Sequence, residues 1–188
     1  MRRWQSVLGV GLLLVAAVPA SGSTFIHISR GELAKRASAV VVGNVLSVES
    51  FWTRSGQIIV TEAMVEVEDA VLGEGPSVVR VRTFGGTVNG YTVEAHGFPT
   101  FSQGERLLLF LEPDAKVADV SRVLGYQEGM YRVATDKAGR EIAYPVVDDG
   151  AAVIDVTGKP VAPARPIALD ELRHEIRENA RLAGRPVN

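Results

Sequence analysis

At 188 residues the chain has the length of a single domain with a real hydrophobic core. It contains no cysteine, which excludes disulfides, a thiol nucleophile, a thiolate metal site and a lipidated N-terminal cysteine. A formal charge of −2, with no basic stripe to neutralise phosphates, excludes nucleic acid as a partner.

The first twenty residues read as a secretory signal peptide. Arg2 and Arg3 precede an unbroken apolar run at residues 7–18, and small residues follow at Val18-Pro19-Ala20. As a helix that run rises about 18 Å, too little for a bilayer core of about 30 Å, so an uncleaved anchor is the weaker alternative. Cleavage near Ala20 leaves 18 basic and 22 acidic residues in a chain with no further long apolar run. The expected location is secreted or periplasmic, with a mature chain outside the membrane.

Residues 21–29 read as a lead-in, after which Ser29 caps a short helix over residues 30–37, with Glu32 near its positive end. Valine-rich residues 39–50 predict a strand. Residues 58–71 alternate, with Ile59, Ala63, Val65 and Val67 on one face and Glu62, Glu66 and Glu68 on the other. Residues 77–84 alternate again, Val79 and Val81 inward, Arg80 and Arg82 outward. If the two strands pair, the arginines lie beside the glutamates, which accounts for both charge groups without an acid/base site.

The stretch RTFGGTVNGYTVEAHGFPTFSQGERLLLFL (residues 82–111) has the glycines, histidine and charges of an active site. A phosphate loop, however, needs a helix after its glycines. Here β-branched residues surround Asn89-Gly90, a hairpin signal, so Gly85, Gly86 and Gly90 predict a bulge and a turn. An apolar strand follows at residues 106–111, then strands at 120–124, 130–135 and 141–146, and a loop or linker at 148–166. Leu169, Leu172, Ile176 and Ala180 recur at helical spacing and predict a C-terminal amphipathic helix.

His27, His96 and His174 share no metal-ligand spacing, and no G-x-S-x-G elbow is present. Asp148-Asp149-Gly150 lacks the alternating ligands of a calcium loop and reads as a turn. No catalytic residue, cofactor or metal is expected.

The segments ASAVVVGNVLSVES, IVTEAMVEVEDAVLGEG, SVVRVRTFGGTVNG, GFPTFSQGERLLLFLEP and GYQEGMYRV resemble a group of uncharacterised secreted bacterial proteins over residues 39–133. More distantly, the order VVVGNV, long strand, GERLLLFL resembles the netrin-like domain, which includes the tissue inhibitors of metalloproteinases. That resemblance implies an OB-type barrel with flanking helices. The inhibitors' zinc-chelating N-terminal cysteine has no counterpart here, so their mechanism and site residues do not carry over.

The expected architecture is mainly β. An OB-like (netrin-like) barrel of five to seven antiparallel strands occupies residues 21–147, with a short N-terminal helix. The C-terminal helical unit, residues 167–188, packs on it. Val41, Val45, Val65, Val67, Val81, Leu108, Phe110, Val133 and Leu172 are the expected core. The first functional reading is a non-enzymatic binding module whose partner is another protein or a cell-envelope component. Its candidate contacts are Phe84, Tyr91, His96, Phe98 and Phe101. The competing account of these aromatics is that they cap the barrel end. An inhibitor or partner of an extracellular protease is the second reading. A hydrolase using His96 with Glu94 or Glu105 is the third.

Overall fold

The computed structural model describes residues 22–74 and 76–187. The predicted leader, residues 1–20, lies outside them. In chain order the elements are β1 (Ser23–Ile26), α1 (Arg30–Arg36), β2 (Ala39–Trp52), β3 (Ile59–Leu72), β4 (Val78–Phe84), β5 (Gly86–Val88), β6 (Tyr91–Val93), β7 (Arg106–Pro113) and β8 (Ser121–Val123). A 3-10 turn (Tyr126–Gly129) leads into β9 (Met130–Thr135), β10 (Glu141–Pro145), β11 (Ala151–Ile154), β12 (Ile167–Ala168) and α2 (Leu169–Leu182).

β2, β3, β4, β8 and β7 close into a five-stranded barrel, because β7 pairs with both β2 and β8. One pair in the ring, β4 with β8, is parallel. This is the Greek-key order of an OB-type barrel. The rest of this sheet branches from β7, whose C-terminal half pairs with β8 and whose N-terminal half pairs with β9, with β10 and β12 following; β1–β11 and β5–β6 are separate two-stranded sheets. Closure needs coiled strands, and β2 supplies them through register shifts at Val40/Val41, Val42/Gly43 and Val45/Ser47. Gly43 is required there. A Cβ would lie 2.2 Å from the Glu66 carbonyl oxygen.

The apolar residues form two cores, one on each side of the sheet. Val41, Val45, Ala63, Val65, Val81, Leu107, Leu109 and Leu111 fill the barrel with Val123 and Met130. Val40, Val42, Leu108, Phe110, Tyr131 and Val133 face outward and are covered by Leu33 and Ala34 of α1 and Leu169, Leu172, Ile176 and Ala180 of α2. Strands buried on both faces read as continuous apolar runs, which explains RLLLFL. Of the expected core residues, Val67 alone is only partly buried, against the barrel cluster.

The alternating strands pair as expected, with Glu62 opposite Arg82 in register and their side chains joined by an ion pair. The helices are placed by specific contacts. Ser29 caps α1 by accepting from the Glu32 N–H. Arg30 grips Glu175 of α2 through Nε and a terminal nitrogen at 3.0 and 2.9 Å. Arg185, beyond α2, donates to the Ala34 and Ser38 carbonyls at the end of α1. Arg173 of α2 lies 2.9 Å from Asp69 of β3, an ion pair without hydrogen-bond geometry.

Two segments differ from their expected irregular form. The lead-in holds β1 and the 148–166 linker holds β11, and the two pair in parallel, Ser23 with Ala151 through Ile26 with Ile154. Backbone pairing between segments so far apart satisfies N–H and C=O groups that a free linker would leave to water.

Candidate functional site

The segment between β4 and β7 has the local structure its residues dictate. Gly85 and Gly86 have φ +88° and +127°, and Asn89-Gly90 has φ +51° and +83°, so β5 and β6 form a tight hairpin. The hydroxyl of Thr61 donates to the Gly85 carbonyl and anchors the base of the hairpin.

The candidate contact residues do not share one place. Phe84 ends β4, and its ring lies 5.3 Å from Phe98 in an edge-to-face contact. Phe98 also meets Tyr126 at 4.9 Å and Phe25 at 6.1 Å, and Phe25 meets Tyr126 at 4.7 Å. β4 and β8 run parallel, so Phe84 and Tyr126 emerge at the same rim of the barrel. Phe84 is 47% exposed and Tyr126 42%, while Phe98 between them is half-buried. Tyr91, 68% exposed, stands apart and meets Trp52 at 6.2 Å. Phe101 packs against the barrel core.

Phe25 and Tyr126 are the members that sequence reasoning missed. Phe25 belongs to a short strand with no local signal, and Tyr126 to a turn after β8. Both are held firmly. At Gly97, φ +82°, an added Cβ would lie 2.1 Å from the Phe25 ring. The Gln127 N–H donates to the Gly97 carbonyl at 3.0 Å and ties the Tyr126 turn to the same loop.

Two carboxylates flank the rim. Asp148 accepts from the Gly97 N–H at 2.6 Å and the Gly150 N–H at 2.8 Å, and lies 3.3 Å from His96 Nδ1. Burial opposes its ionisation, but the two N–H groups and His96 outweigh it, and the carboxyl sits below its usual range. Glu128 accepts from the Ile28 N–H at 3.0 Å and lies 2.5 Å from His27 Nδ1. These contacts fasten the β1–β11 pair to the barrel.

The carboxylate beside His96 is therefore Asp148, not the Glu94 or Glu105 considered from sequence. Glu105 accepts from the Ser102 N–H and from Arg132. Among the described residues no serine or threonine hydroxyl is hydrogen-bonded to His96. His96 serves as a staple between two loops. His174 is exposed on α2.

The fold and rim define a mainly β protein built on a closed five-stranded barrel of OB type, with aromatic rings from four separate segments gathered at one end. No protein-family model, curated protein or solved structure matches the chain.

Proposed function

We propose that the protein is a non-enzymatic binding module, secreted or periplasmic after cleavage near Ala20. In this reading the aromatic rim holds another protein or a cell-envelope component. One observation carries the reading: Phe25, Phe84, Phe98 and Tyr126 converge from four segments, yet two of the rings remain nearly half in water. Large rings brought together at that cost in hydration are suited to anchoring a partner, because aromatic side chains dominate the energetics of interfaces. The half-buried Phe98 orients its neighbours, and Phe84 and Tyr126 make the contact. The resemblance to the netrin-like domain supports the barrel as a binding scaffold. It supports no zinc-chelating step, since the chain has no cysteine.

The test is capture from the periplasmic and secreted fractions of the source cells by tagged protein, run beside a Phe84→Ser/Tyr126→Ser variant and a Tyr91→Ser control. A partner retained by the parent and the control but lost from the rim variant is the expected result. A rim variant that keeps its partner but melts much lower would assign the rings to capping the barrel. A protease among the specific eluates would turn the reading toward inhibition. N-terminal sequencing of the exported protein should begin at Ser21.

A further inference from the structure

β1 has one open edge. Among the described strands it pairs with β11 alone. In a parallel pair, alternate residues turn their main-chain groups toward the partner and the residues between turn them away. The His27 N–H donates to the Ile154 carbonyl, which fixes the phase. Phe25 and the His27 N–H face β11, whereas Thr24, Ile26 and the Ile28 N–H face outward. The Glu128 carboxylate takes the Ile28 N–H at 3.0 Å. Among the described residues the main-chain groups of Thr24 and Ile26 have no protein partner. Strand edges are ordinarily guarded by lysine, proline, a bulge or a covering segment. β11 is guarded in that way, since the Val161 N–H donates to the Val153 carbonyl on its far side. β1 is not: it reads STFI, with no charge and no proline, and Ile26 is 61% exposed.

A groove of about 670 Å³ runs along this edge. Its wall includes the consecutive residues 24–29, where a hollow over the face of a strand would meet alternate ones. Glu32 and Arg36 of α1, one charge of each sign, and Tyr126 complete the wall. The groove and the aromatic rim therefore share Phe25 and Tyr126, whose rings lie 4.7 Å apart. Along the open edge, partly positive N–H and partly negative C=O groups recur every second residue, about 6.6 Å. That spacing and that polarity are complementary to the edge of another strand.

We propose that an extended segment of a partner protein adds to this edge as a third strand of the β1–β11 sheet, with an apolar side chain opposite Phe25 and beside Tyr126. The inference rests on the rim reading and narrows it: the partner is a protein, held through its main chain as well as by the rings. The probe is the blocked peptide acetyl-Thr-Val-Phe-Val-Thr-amide, titrated into the isotope-labelled exported protein while amide exchange is followed. At saturation the Thr24 and Ile26 amides should become protected, while those of Phe25 and His27, already bonded to β11, change little. N-methylation of the two valines and N-methylation of the phenylalanine block opposite edges of the peptide. One should abolish binding and the other spare it. Ile26→Pro removes an N–H that points away from β11, so it should weaken the peptide at least about tenfold with the β1–β11 amides still protected. The N-methyl pair is read on the parent protein, so a misfolded Ile26→Pro leaves the test intact. Unprotected Thr24 and Ile26 amides, equal effects of the two N-methyl peptides, or saturable binding of tri-N-acetylglucosamine at this edge in place of the peptide would overturn the proposal. The rim reading fails separately, if Phe84→Ser/Tyr126→Ser leaves partner capture unchanged.

Discussion

The barrel and the β1–β11 arm are both β-structure, yet they are held by opposite means. The barrel interior is apolar, with Ala63, Val65, Val81, Leu107 and Leu109 fully buried inside it. No residue of 22–28 or 147–166 is fully buried. The arm is fastened instead by backbone pairing and by the carboxylates of Asp148 and Glu128. Non-directional apolar packing tolerates acid. A carboxylate latch does not, because it depends on one charge in one place. Both regions supply rings to the rim, Phe84 and Phe98 from the barrel side and Phe25 from the arm, so the rim is only as durable as the weaker of the two.

That contrast is open to direct attack. Leu109→Ala opens a cavity in the barrel and should cost about 2–5 kcal/mol, read as a lower urea midpoint with cooperative loss of the whole fold. Asp148→Ala should cost about 1 kcal/mol, because the Gly97 and Gly150 N–H groups lose their acceptor at a partly exposed site. Hydrogen exchange should then rise in β1 and β11 while the barrel amides stay protected. Uniform exchange across both regions would show that arm and barrel unfold as one unit.

Acid should do more gently what Asp148→Ala does. The folded-state carboxyl of Asp148 is depressed, so its contribution is complete above the unfolded value, about pH 4, and is lost as pH falls through the folded value. Exchange in β11 should therefore accelerate below about pH 4 before any change in the barrel. Glu68 on the barrel's outer face is also depressed, chiefly by its hydrogen bond from Arg106, but the packed core beneath it does not depend on that charge. The smallest effect should be that of Tyr91→Ser, which removes a mostly exposed ring and should shift stability by no more than about 0.5 kcal/mol.

Much of the barrel was legible. Residues 58–71 and 77–84 alternate with period two, and Asn89-Gly90 announces its turn, so the β3–β4 pairing and the β5–β6 hairpin follow from local pattern. The face of each apolar residue was not legible where both faces are buried. Val41 and Leu108 both belong in a core, yet Val41 fills the barrel and Leu108 lies under the helices. An unbroken run such as RLLLFL carries no period from which to tell the two apart.

The candidate site was half legible for a similar reason. Phe84, at the end of β4, and Phe98, in the loop before β7, lie close in sequence and stood out together. Phe25 and Tyr126 come from distant segments, and nothing in STFI or GYQEG points to a ring cluster. The partner of His96 was missed too, since Asp148 reaches it from 52 residues away.

By itself, then, the sequence determined the mainly β class, the positions of both helices and of the barrel strands, and the absence of thiol chemistry, because those follow from composition and from periods of two and 3.6 residues. Only the tertiary structure decided which strands close the ring, which core each apolar residue enters, that the lead-in pairs with the linker, and which rings share the rim. Those outcomes rest on contacts between segments far apart in the chain, set by packing and backbone pairing that no local pattern encodes.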